Sequence, residues 1–85
     1  MGNKLHVDIY VPALENNYEF SLNEHAKTGV VIEEIAYVIG QKEQKSWNGR
    51  IENLILCNAE NDCILPKEKS LYQCKVLPGS RLILL

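Results

Sequence analysis

Three cysteines, Cys57, Cys63 and Cys74, two histidines, His6 and His25, and the adjacent carboxylates Glu33 and Glu34 are the residues of this chain whose types could do chemistry. A metal site would draw on the three thiolates together with His25 or His6. The spacing Cys-x5-Cys-x10-Cys lacks the close cysteine pair that usually holds two zinc ligands together. The cysteines therefore read as small apolar residues at a sheet edge or under the turn at Leu71, and no metal or other cofactor is expected. Cys57 and Cys63 flank one hairpin, a placement that would let them face each other as a disulfide. Dithiol redox chemistry would want a Cys-x-x-Cys at a helix N-terminus, which this sequence does not contain. Neither histidine adjoins a serine or cysteine in a nucleophile motif. Glu33 and Glu34, adjacent on a helix, project about 100° apart and cannot share a proton-transfer site. No glycine-rich phosphate loop is present. The expectation is a protein that binds rather than an enzyme.

Composition supports that expectation. The chain has 85 residues, 46% hydrophobic and 24% charged, with a formal net charge of −2. A chain of this size buries roughly 60% of its unfolded surface, enough for one modest core and too little for a deep catalytic pocket. One domain over residues 1–85 is expected. Lysine and arginine form no block: Lys42/Lys45 and Lys67/Lys69 are isolated pairs, each interrupted by a glutamate. Nucleic acid is therefore not an expected partner. Apolar runs fall far short of the ~20 residues of a membrane span, so no direct membrane insertion is expected. The start, Met1-Gly2-Asn3-Lys4-Leu5-His6, has no apolar export core before Asp8. Together with an odd number of cysteines, this gives the expectation of a cytoplasmic location.

The elements that would position these residues follow from periodicity. Leu5, Val7, Ile9 and Val11 alternate with His6, Asp8 and Tyr10, which predicts a half-buried strand stopped by Pro12. A turn at Glu15-Asn16-Asn17 leads to a second alternating run, Tyr18 to Leu22, giving a hairpin. The period then changes to 3.6: Val31, Ile32, Ile35, Ala36 and Ile39 share a stripe, with Glu33, Glu34 and Tyr37 facing away. Thr28 is the expected N-cap of that helix and Gly40 its end. A polar connector, Gln41 to Gly49, carries Trp47. A third strand is expected from Ile51 to Cys57, with Leu54 and Leu56 inward and Ile55 and Cys57 outward. A hairpin turn over 58–62, a short strand Cys63-Ile64-Leu65 cut by Pro66, a helical turn or ordered loop over 71–77, and a last strand from Ser80 to Leu85 complete the order.

Two hairpins flanking one helix, with the final strand free to pair in the middle beside the first, give an α+β fold: a mixed sheet of about five strands on one helix. With Leu54-Ile55-Leu56-Cys57, a hairpin, Leu71-Tyr72 and the closing Pro78-Gly79-Ser80-Arg81-Leu82-Ile83-Leu84 in place, the chain resembles a ubiquitin-like β-grasp domain over nearly its whole length. Through Gly79, Arg81 and Leu82 before a hydrophobic ending, it is most similar to the YukD-like small proteins of bacterial type VII secretion. The resemblance implies a protein-binding or regulatory accessory component of such a system, with a secretion-system protein as its partner. Modifiers and sulfur carriers of the same superfamily carry a terminal Gly-Gly that an activating enzyme threads into its site. This sequence reads Ile83-Leu84-Leu85 there, so the alternative of a covalent modifier or sulfur carrier is disfavoured.

In ubiquitin-like domains the outer sheet face often bears an apolar patch. If Leu82 and Leu84 point inward, Ile55, Ile83 and Leu85 lie together outside, rimmed by Arg81, with His6, Asp8 and Tyr10 as neighbours. That arrangement suits an interaction surface; branched residues exposed on strands also follow from β-propensity alone. Trp47 is the second candidate contact, either an anchor for a partner or a cap on the core beside the helix C-terminus.

Overall fold

The structure, a computed structural model, describes residues 4–44 and 51–85. Trp47 and the rest of the 45–50 connector lie outside the described residues.

The alternation at the start of the chain forms the strand it predicts. In β1 (Lys4–Val11) Leu5, Val7, Ile9 and Val11 are buried and the residues between them exposed. β2 (Asn16–Asn23) returns antiparallel, pairing Val11 with Asn16 and Lys4 with Asn23. The turn lies earlier than the asparagines suggest. Residues 12–15 make it, with Leu14 N–H donating to the Val11 carbonyl and Glu15 taking φ 52°, while Asn16 and Asn17 already belong to the ladder.

The helix α1 (Thr28–Glu43) extends further at both ends than its apolar stripe. Lys27, not Thr28, is the N-cap residue. The orphaned amides of the first turn find backbone partners instead of a side chain. Thr28 N–H donates to the Lys69 carbonyl (2.8 Å) and Gly29 N–H to the Lys67 carbonyl (3.0 Å). The Thr28 hydroxyl also donates to Lys69 O, 2.8 Å away, so it secures the helix to the 67–69 segment. Gly40 does not end the helix. Gln44 does, in the left-handed conformation, returning its N–H to the Gly40 carbonyl. Val31, Ile32, Ile35 and Ile39 are all 2% exposed or less. At about 1.5–3 kcal/mol per buried aliphatic side chain, these four contribute about 6–12 kcal/mol, more than enough to offset the modest helix propensity of β-branched residues.

A 3₁₀ turn (Ile51–Asn53) replaces the first half of the expected third strand, because Glu52-Asn53 interrupts the alternation and Leu54 N–H closes onto the Ile51 carbonyl. The strand itself, β3 (Leu56–Asn58), is short, as is β4 (Cys63–Ile64). Residues 71–75 form turns, opened by a reciprocal pair: Ser70 N–H donates to Gln73 Oε1 and Gln73 N–H to Ser70 Oγ. The last strand, β5 (Arg81–Leu84), lies between β1 and β3, so the sheet order is β2-β1-β5-β3-β4. β1 and β5 are parallel and the other neighbours antiparallel. Leu5, Val7, Ile9, Leu56, Leu82 and Leu84 form the sheet side of one core, against which α1 and Leu71 pack. Among the described residues no helix is long and apolar enough to cross a membrane.

Candidate functional site

Strand parity decides what the sheet shows on the face away from α1. Leu82 and Leu84 of β5 are buried, and Arg81 and Ile83 between them face out. Leu56 of β3 is buried and Cys57 faces out. Register then aligns the outward residues across four strands: Tyr10 of β1 pairs with Ile83, Ile83 with Cys57, and Cys57 with Ile64 of β4. Two residues further along, Ile55 and Leu85 exchange backbone hydrogen bonds of 3.1 and 2.9 Å, which puts them on the same face as Cys57 and Ile83. The result is a contiguous apolar surface of Tyr10, Ile83, Cys57, Ile64, Ile55 and Leu85. Ile64 is 61% exposed and Leu85 54%.

One end of this surface is polar. Arg81 is the register partner of Asp8, which in turn pairs with Glu19. His6 Nε2 lies 3.7 Å from Glu19 Oε1, both well exposed. An apolar centre with a charged rim is the composition of a protein-docking surface rather than of a substrate pocket. The structure thus brings Ile55, Ile83, Leu85 and Arg81 onto one face, as the alternation requires. Trp47 lies outside the described residues. Ile64 is the member sequence reasoning missed. Its signal was available in the Cys63-Ile64-Leu65 alternation: with Leu65 buried, Ile64 must face the other way, opposite Cys57 across the hairpin.

The same register corrects the expected Cys57–Cys63 contact. Cys63 pairs with Asn58 and Cys57 with Ile64, so the two sulfurs leave opposite faces of the hairpin, and all three cysteines are free. Cys74 sits half-buried in the 71–75 turn. Burial pushes its thiol up from the ordinary range, partly countered by the Lys69 ammonium. His6 lies on the outer face of β1, and His25 packs against Tyr72 with ring centroids 5.2 Å apart. Among the described residues no cluster of His, Cys, Asp and Glu could hold a metal ion.

On the opposite side of the molecule, a concavity of about 360 Å³ is lined by Lys27, Val30, Glu33, Ile51, Lys67 and Glu68, among others. Its charges are of mixed sign, and the Lys67 ammonium donates to the Glu52 carbonyl. Tyr18, on the inner side of β2, donates its hydroxyl to Glu43 Oε2 at 2.7 Å and closes the C-terminal end of α1 onto the sheet. Burial, then the hydrogen bond and charge of Glu43, raise the Tyr18 phenol above its ordinary value, with Asn16 acting the other way.

No family model matches the sequence, and no curated protein matches it either. Solved structures do. The ubiquitin-like domain of EccD5 from Mycobacterium xenopi superposes with a TM-score of 0.78 at 22% identity, over 98% of this chain and 93% of that one. The ubiquitin-like domain of the Mycobacterium tuberculosis type VII secretion system protein EccD1 gives a TM-score of 0.71 at 16% identity, over 96% and 97%. A chain of the MycP5-free ESX-5 inner membrane complex matches with a TM-score of 0.73 at 18% identity, over 96% of this chain and 20% of that one. The protein has the ubiquitin-like fold, and its structural neighbours include ubiquitin-like domains of mycobacterial type VII secretion proteins.

Proposed function

We propose that this chain is a protein-binding accessory component of a type VII secretion system, and that it docks noncovalently through the outer face of its sheet. The observation that carries this reading is the row Tyr10–Ile83–Cys57–Ile64, extended by Ile55 and Leu85 and rimmed by Arg81 and Asp8. Apolar side chains from four strands converge there with no helix among the described residues over them, and water is excluded only when a partner covers them. The likeness to the EccD domains supports a protein of the secretion apparatus as the partner. The site works in the cytoplasm in this reading, and neither a cofactor nor a covalent step enters.

The test replaces Ile55 and Ile83 with glutamate, singly, in cells that carry the native chain. The variants are expected to stay folded and soluble, to lose co-purification of the secretion membrane complex, and to depress export of the system's substrates. Retention of both capture and export by the folded variants would remove this face from the function.

A further inference from the structure

We infer that the free edge of β2 pairs with β2 of a second copy of this chain, joining two sheets across a two-fold axis. The inference goes beyond the docking face, which it leaves open on both copies.

The two edges of the sheet are unlike. β4 has two residues and is followed by Leu65 and Pro66, a blunted edge of the usual kind. β2 has eight, Asn16-Asn17-Tyr18-Glu19-Phe20-Ser21-Leu22-Asn23, with no proline, no lysine and an unbroken register against β1. Which of its backbone groups are spare follows from β1. Gly79 N–H donates to the His6 carbonyl at 2.7 Å and Asp8 N–H to the Ser80 carbonyl at 3.1 Å, so His6 and Asp8 turn their backbone groups toward β5. Leu5, Val7 and Ile9 must then turn theirs toward β2, where Leu22, Phe20 and Tyr18 receive them. Asn17, Glu19, Ser21 and Asn23 are left pointing at the free edge. The ends of that row are closed by the chain itself: Asn17 N–H donates to Asn16 Oδ1, and the Asn23 carbonyl accepts from Ala26 N–H. In the middle, the N–H groups of Glu19 and Ser21 donate to no described residue on that side, and their carbonyls accept from none.

The side chains select a copy of the same strand as the occupant. Antiparallel pairing about a two-fold axis must keep facing residues on the same side of the sheet. An axis through Glu19 would set two carboxylates directly opposite each other. An axis through Phe20 sets Glu19 opposite Ser21, Tyr18 opposite Leu22 and Asn17 opposite Asn23, and the spare groups of Glu19 and Ser21 satisfy one another exchange for exchange. Phe20 is half-buried, packed on the core at the rim of the sheet. On the axis it meets its own copy at the close spacing of a non-hydrogen-bonded pair, about 4.5 Å between Cα atoms. β2 carries a single charged residue, Glu19, so no other side chain opposes the pairing. The outer faces of the two sheets become coplanar, and one dimer presents the docking surface twice.

An edge contact is smaller than a standard interface, and a Kd on the order of 10⁻⁴ M is expected. Sedimentation equilibrium from about 10 µM to about 1 mM reads it. Ser21 is exposed on the outer side of β2, so its variants keep the fold, which circular dichroism checks. Ser21→Lys places an ammonium opposite the partner's Glu19 and should tighten the dimer about tenfold; Ser21→Glu should weaken it about tenfold, since each change acts twice per dimer. Ile83→Glu should leave the dimer unchanged, which separates this inference from the docking face. A chain that stays monomeric up to about 1 mM, as it would if β2 pairs only with a foreign strand, overturns the inference. So does a dimer that both Ser21 variants leave alone or shift in the same direction.

Discussion

Leu82 and Ile83 are neighbours on β5 that face opposite sides of the sheet, so truncating each in turn examines the facing on which the proposed docking surface depends. Leu82 is fully buried, between Ile9 on β1 and Asn58 on β3 in register, and belongs to the core under α1. Leu82→Ala removes buried methyl groups and leaves a cavity in a tightly packed interior, a loss of about 2–5 kcal/mol. The whole stability of an 85-residue domain is about 4–13 kcal/mol. A loss of about 3 kcal/mol would lower Tm by about 12–24 °C. Ile83 is half-buried among other outward side chains, and Ile83→Ala opens no internal cavity. Its cost should be about 1 kcal/mol or less. Urea unfolding followed by far-UV circular dichroism separates the two, with equal m values showing that only stability has changed. Equal losses, or a larger one for Ile83→Ala, would refute the assignment of faces and remove the basis for the site.

The Tyr18–Glu43 closure makes a pH prediction. Because the folded phenol sits above its ordinary value, the native state holds the proton more tightly than the unfolded chain. The stability this contributes is complete below about pH 10 and is lost as pH rises through the folded value. Tyr18→Phe should cost about 1 kcal/mol at neutral pH and flatten the decline above about pH 10, measured by urea unfolding at both. The thiols should alkylate in order of access: exposed Cys63 fastest and Cys74, half-buried and raised by burial, slowest. Mass spectrometry of a timed iodoacetamide reaction checks the order, and Cys74 reacting first would contradict it.

Much of this fold is legible in the sequence because its signals are strictly local. The period of two in Leu5 to Val11 and the period of 3.6 from Val31 to Ile39 each admit one burial pattern, and both are observed. The misreadings fall where a distant segment decides. Thr28 looks like a cap because its hydroxyl could serve one, yet the carbonyls of Lys67 and Lys69 already hold the first amides. Gly40 looks like a stop, yet the left-handed Gln44 closes the helix further on. Apolar Ile51 suggests a strand, and the short closure of Leu54 onto its carbonyl makes a 3₁₀ turn instead. The proposed docking surface is half legible. Parity along β5 gives Arg81 and Ile83, but the alignment of Tyr10, Cys57 and Ile64 with them is a matter of register between strands far apart in sequence.

The proposed function requires that the outer face of the sheet receive a protein of the secretion apparatus. The most direct measurement is an amide chemical-shift titration of the labelled chain with the cytosolic part of its own cell's secretion membrane complex. Shifts should concentrate at Tyr10, Ile55, Cys57, Ile64, Ile83 and Leu85, and should disappear in Ile83→Glu. Shifts confined to the helix face around Val30, Glu33 and Tyr37, or binding that Ile83→Glu leaves intact, would contradict it.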